Sequence, residues 1–485
     1  MLSDSFKKYN AVVFIFVLPI ILANQYYIDD IGRAAFGYKK WGVDGRPVAD
    51  MVMSFLNFSG RMVDLAPLPI LLSVVMLSIS FSLYRKNFLD DSKWSFIVPL
   101  AFLANPAIIS FFSYRFDVFT FSFAITAAFL LYTYRTKKFA LDIIIGSILA
   151  TLVLSTYQAV INLVGLLFIC ELVTNISSLK KPARIIKTVA MRACQVTIGG
   201  IIYAKLILPK TFNGSHSSNH PDVSSDLLAS IKINAMKYFD FASNNFYRDY
   251  GYVFFELSAI ACLIMTFCLS YRYAKIYRSS WQAWIIIVGS ILASALALPM
   301  TMGALLVLGN ALGGVHVYMS VGGFYLLLAT LIFHTFKKYK LASMLTIIPL
   351  FYNLTLLFAY GNALQAQERI NKVLLSEISA AIHGQNNDAL SIIFTGEAPR
   401  SDVVKNASVN YPLIKYSVTD YFWNWYWASA YMTMNGVRQT YLPASKAAKY
   451  ISEKCSYNIS YENQWFISYA KNGINIIDFS KRRCN

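Results

Sequence analysis

Charge is scarce in this 485-residue sequence: Asp, Glu, Lys and Arg together make up 14% of it, against about a quarter in an ordinary soluble domain. The acidic sign is the scarcer, with 25 residues against 43 basic ones and a net charge of +18. Such a surplus suits nucleic acid only when it forms a continuous basic face on a soluble domain. Here it is cut into short clusters by apolar runs, the pattern of cytoplasmic loops facing anionic lipid, so no nucleic-acid partner is expected. A phosphate-cradling glycine loop and a paired-glycine dinucleotide fingerprint are both missing, which argues against a nucleotide-driven machine and a nucleotide-sugar donor site. Cysteines number 6. Cys170, Cys194, Cys262 and Cys268 lie in or beside apolar runs without the paired spacing of a zinc site. Cys455 and Cys484 share the polar tail, where a disulfide between them is expected if the tail lies outside the cytoplasm. His216 and His220 sit among Ser, Asn, Gly and Pro and read as loop rather than as a metal site.

What is abundant is apolar: 56% of the residues are hydrophobic and 15% aromatic. A membrane-spanning helix needs about 20 such residues. The runs predict a mostly α, polytopic membrane protein of about eleven spans, at 11–23, 66–84, 94–112, 116–134, 139–155, 157–174, 185–208, 251–271, 281–308, 318–334 and 341–360. No small-residue cleavage site follows the first run, so it reads as an uncleaved helix. Pro106 and Pro299 are expected to break their spans.

Placing Lys7 and Lys8 inside makes every second connection cytoplasmic, and those connections hold the short basic clusters: Arg85/Lys86/Lys93, Arg135/Lys137/Lys138, Lys180/Lys181/Arg184/Lys187, Arg272/Lys275/Arg278 and Lys337/Lys338/Lys340. The opposite side then receives loops 24–64 and 209–250, short turns near 113–117, 155–158 and 309–316, and everything after 360. The membrane part is expected over 1–360. The tail, 361–485, is mixed polar and apolar with strand-like pieces at 390–394 and 465–469, and reads as a small α+β domain outside the cytoplasm.

Three polar constellations fall on that outer side. Asp29 and Asp30 come just beyond the first span, with Arg33 and Arg46 following. A carboxylate at the mouth of an apolar bundle has a raised pKa unless paired, which suits a general base, and arginine forks suit phosphate. A solvated charge cluster is the plain alternative. Arg115 and Asp117 occupy a turn too short to reach far into water, and they serve a site or simply pair with each other. Ser155, Thr156, Tyr157 and Gln158 form the third group, able to bond sugar hydroxyls or to satisfy two helix ends. His316 is a weaker base candidate. Three such groups at one depth on one face point to a shared site for a phosphate carried on a lipid and an acceptor from water.

At Tyr27-Ile28-Asp29-Asp30-Ile31-Gly32-Arg33, Gly45-Arg46-Pro47, Tyr114-Arg115-Phe116-Asp117 and Tyr157-Gln158-Ala159, in that order and within this span pattern, the sequence resembles the serotype-converting glucosyltransferases, or Gtr proteins, of bacteria and their temperate phages. The resemblance covers about 10–360. It implies the GT-C architecture in a bacterial inner membrane, with the N terminus cytoplasmic and the tail periplasmic. It further implies a donor, undecaprenyl-phosphate glucose, and an acceptor, lipopolysaccharide O-antigen, with a donor-making glucosyltransferase and a flippase as pathway partners. Asp29 or Asp30 would be the base, Arg33, Arg46 and Arg115 would meet the departing phosphate, and Asp117, Tyr157 and Gln158 would orient sugar or acceptor. The tail would grip the polysaccharide. GT-C relatives differ in their use of a divalent cation, which leaves the cofactor open. Rival readings are another polyprenyl-phosphate-sugar transferase, an O-antigen polymerase or ligase, and, from a separate class, a lipid or sugar flippase. A flippase would carry polar groups through the midplane, which here is nearly free of charge.

Overall fold

In hydrocarbon a backbone N–H can bond only to the chain itself, so long apolar runs close into helices. The computed structural model describes residues 4–136, 138–213, 222–382 and 390–483. Among them, eight helices are long and apolar enough to cross a membrane: Asp4–Ala23, Leu68–Phe88, Phe139–Thr156, Gln158–Ser177, Pro182–Thr211, Arg248–Tyr277, Val315–Thr335 and Leu341–Ala381. Three shorter apolar pieces, Lys93–Ala104, Asp117–Thr133 and Trp281–Ala295, take the places of the remaining expected spans. Both proline-bearing spans are broken. The chain is extended at Asn105 and restarts as the helix Ile108–Ser113, and beyond Ala295 only short pieces, Ala297–Met300 and Gly303–Val307, continue.

The expected alternation of sides has a counterpart in which loops touch. At one end Arg85 donates to Ser5 and Ser95, Tyr273 to the Lys180 carbonyl and Arg272 to the Thr335 carbonyl. At the other end the first loop meets four of the other connections expected on its side, and the fifth, 309–316, reaches it through Tyr114. Asp30 accepts from Arg115, Gln158 donates to Asp44, the Asn213 amide donates to Val43, Tyr421 donates to Tyr26, and Tyr114 bonds His316.

The bundle nevertheless buries charge. Arg192, 1% exposed, bonds Glu171, Gln195 and the carbonyls of Leu131 and Tyr132, while Arg135 also reaches Glu171 at 2.7 Å. A buried cation is tolerable only when its donors are spent in this way. Loop 209–250 also holds more structure than expected, namely the helix Leu227–Asn245.

The expected boundary at 360 falls inside a helix. The helix Ile347–Ala381 runs straight through that boundary and delivers Leu374, Leu375 and Ile378 to the core of the tail. Four strands follow: β1 (Ser391–Thr395), β2 (Asn458–Glu462), β3 (Ile467–Lys471) and β4 (Ile474–Asp478), in the order β1-β4-β3-β2. Strand β1 runs parallel to β4, and β3 and β4 form a hairpin whose two-residue turn, Asn472-Gly473, has positive φ at both positions (49 and 76), the geometry Asn-Gly favours. Alternation along β1 sends Ile392 and Phe394 toward the long helix and Ile393 toward Ala447 on the other face. Ile31 of the first loop is buried in that same tail core, so the tail holds the first loop in place. Of the expected Cys455–Cys484 pair, Cys484 lies outside the described residues, as do His216 and His220.

Candidate active site

The chain leaves its first helix through a strained corner. Asn24 and Ile28 both have positive φ (50 and 49), a conformation costly for a β-branched residue and frequent beside functional groups. The helix Asp29–Phe36 then begins, and its 3.6-residue period turns neighbouring side chains roughly 100° apart. The two adjacent carboxylates therefore part company.

Asp30 points inward and is 0% exposed. Its oxygens accept from the backbone amides of Tyr27 (3.3 Å), Arg115 (2.9 Å) and Phe116 (3.3 Å). Burial pushes its acid up to about 8, against the pull of those donors and of Arg33. It pins the first loop to the second.

Asp29 stays reachable, with 39% of its side chain exposed, though protein surrounds it closely. Desolvation raises its pKa from the ordinary value, and Arg33, 3.7 Å away, counteracts this only in part.

Arg33 lies between Asp29 and Asp117, at 2.9 Å from the latter, with its guanidinium carbon 4.3 Å from the centre of the Trp41 ring. The Trp41 indole donates to the other Asp117 oxygen at 2.5 Å. Asp117 thus has both oxygens engaged where the helix Asp117–Thr133 starts. Arg46 sits 3.4 Å from Asp44 and 5.7 Å from the Tyr157 ring centre. The Nε atoms of Arg33 and Arg46 are both buried without a hydrogen-bond partner. An orphaned donor costs about 1–3 kcal/mol, which an anionic ligand would recover.

The remaining expected residues divide in the same way. Tyr157 is buried, its ring 4.4 Å from that of Phe121. Gln158 acts as a clamp: its amide donates to the Asp44 carbonyl (2.9 Å) and the Tyr203 hydroxyl (3.0 Å), and Tyr203 donates to the Gly45 carbonyl (3.0 Å). Gly45 has φ 77, and a Cβ there would stand 2.7 Å from Leu208 and 2.8 Å from Tyr203, so the clamp closes only on glycine. Arg115 spends its fork on Asp64, Asn24 and the Gln25 carbonyl and stacks on Tyr26 at 4.4 Å. Asp29, Arg33, Arg46, Asp117 and Tyr157 are brought together. Asp30, Arg115 and Gln158 hold the loops that carry them.

Trp41, Asp64 and Tyr203 join the expected residues. A tryptophan within a polar loop is the one signal the sequence offers for them; the partners of Arg115 and Gln158 are distant in sequence and carry none. No group of three His, Cys, Asp or Glu side chains placed to hold a metal occurs among the described residues. Of the acids here, Asp117 is occupied by Arg33 and Trp41 and Asp30 by backbone amides, which leaves neither placed to hold a cation.

The family model described as glucosyl transferase GtrII matches residues 18–327, which include every residue of this cluster. An uncharacterised 55.3 kDa protein from the gtrB 5′ region of Salmonella phage P22 is 25% identical over 480 residues, 96% of this chain and 93% of that protein. No solved structure matches.

Proposed function

Because the chain belongs to the GtrII glucosyl transferase family, we propose that it moves glucose from undecaprenyl-phosphate glucose to a hydroxyl of O-antigen, on the periplasmic side of a bacterial inner membrane. The N terminus is then cytoplasmic and the tail periplasmic. A donor-making glucosyltransferase and a flippase supply the lipid-linked sugar.

In this reading Asp29 is the general base. It takes the acceptor proton as that oxygen bonds to the anomeric carbon, the bond from that carbon to the phosphate oxygen breaks, and polyprenyl phosphate leaves. A carboxylate with its pKa moved toward neutrality accepts the proton more readily than an ordinary one. Arg46 and Arg33, both within electrostatic reach of Asp29, meet the charge growing on the phosphate, while Asp117 and Tyr157 position Arg33 and the sugar. The observation that carries this reading is the pairing of one recessed, reachable carboxylate with two arginines whose Nε donors lack partners. Cytoplasmic nucleotide has no part in it.

Expression in an O-antigen-bearing host with the donor-making enzymes, followed by mass spectrometry of the lipopolysaccharide, tests the proposal. Wild type adds a hexose increment, Asp29→Asn adds none, and Arg46→Gln lowers the modified fraction by about 10²-fold or more at limiting donor. Unmodified polysaccharide from well-inserted wild type would refute it.

A further inference from the structure

The tail carries an aromatic run that the cluster above does not use. Tyr421-Phe422-Trp423-Asn424-Trp425-Tyr426-Trp427 contains three of the chain's 8 tryptophans and no charge. Tyr421 and Phe422 are buried in the tail core, and Asn424 is tied to β1 by two 2.8 Å hydrogen bonds with the Phe394 backbone. The intervening rings are turned outward. Trp423 is 47% exposed and Tyr426 42%, with Trp425 and Trp427 half-buried. Their order is fixed: Trp423 stacks on Trp425 (5.1 Å), Tyr426 meets Trp427 (4.9 Å), and the Trp423 indole donates to the Asp420 carbonyl.

This strip does not stand apart from the site. Trp427 presses against Gly32, where any Cβ would collide with it, and stacks on Tyr38 at 6.3 Å. Tyr38 lies 6.0 Å from Arg33, which is 3.7 Å from Asp29. A continuous path of contacts leads from the exposed rings to the reachable carboxylate.

Exposed aromatic faces held rigid in advance cost little ordering entropy when a partner covers them. An uncharged strip of flat rings beside a group-transfer site matches the apolar C–H faces of neutral sugar rings better than it matches a charged partner. Resting on the function proposed above, we infer that the strip Trp423–Trp427 is the platform on which a neutral oligosaccharide acceptor lies, its modified residue directed over Tyr38 toward Asp29.

Trp423→Ala/Trp425→Ala, in full-length protein in nanodiscs, tests this in two arms. In the first, acceptor polysaccharide freed of its lipid is titrated against intrinsic fluorescence and against transfer rate. Wild type and Asp29→Asn bind it saturably, while the double variant binds at least tenfold more weakly and transfers with a raised acceptor KM and unchanged kcat. In the second, nanodiscs of brominated lipid leave the strip's fluorescence unquenched. Equal acceptor KM in the double variant and wild type, or quenching by brominated lipid that acceptor does not relieve, would overturn the platform and make the strip a membrane-surface belt. The glucosyl-transfer reading fails differently, through a wild type that moves no hexose at all.

Discussion

Asp29 and Asp30 are identical in type and adjacent in sequence, yet one is reachable and the other is buried and spent on the backbone. The difference lies in partners: Asp30 holds three backbone amides and Asp29 holds none of them. Asp30→Ala strands three backbone donors, two of them buried, and is expected to destabilise the protein by about 3 kcal/mol; Asp29→Ala should leave thermal unfolding in detergent near wild type. Their titrations differ too. The Asp30 acid rises from 3.8 to about 8 on folding, so its neutral form stabilises the fold fully below about 4, a contribution lost as pH climbs toward 8. Mild acidification should therefore raise the melting temperature of wild type more than that of Asp30→Asn. For Asp29, whose pKa is raised and which the proposed mechanism uses unprotonated, kcat/KM should rise with pH along an acid limb centred above the ordinary carboxylate value of 3.8. A pH–rate profile flat from pH 4 upward would contradict this.

At the scale of elements, the site depends on a short helix trapped between the bundle and the tail. Gly32, on Asp29–Phe36, is what lets Trp427 come close. Gly32→Leu should push that seam apart and cut transfer about tenfold or more, as small misplacements of reacting groups do, while leaving membrane insertion intact; pulse-labelled topology and transfer assays check the two halves. Much at this scale was readable in advance. Long apolar runs and alternating basic clusters gave the spans, Pro106 and Pro299 the broken ones, and alternation the strands near 390 and 467. The helix Leu227–Asn245 is not legible in the sequence because polar residues interrupt its apolar positions. Nor is the Arg192–Glu171 pair, whose partners meet only once the bundle packs.

Over the whole molecule, six connections scattered along the chain close on one end of the bundle, and the tail core reaches back to bury Ile31. That convergence was expected from counting spans. The division of labour inside it was not, since the sequence placed Arg115 and Arg46 on equal terms. Only the folded chain separates the arginine saturated by Asp64, Asn24 and Gln25 from the one whose Nε has no partner. The most direct test is the rate at which purified protein in nanodiscs moves labelled glucose from undecaprenyl-phosphate glucose to O-antigen. Loss of a general base predicts a fall of about 10²–10⁴-fold for Asp29→Asn, with Asp30→Asn retaining activity in proportion to its folded fraction. Wild-type turnover by folded Asp29→Asn would contradict the assignment.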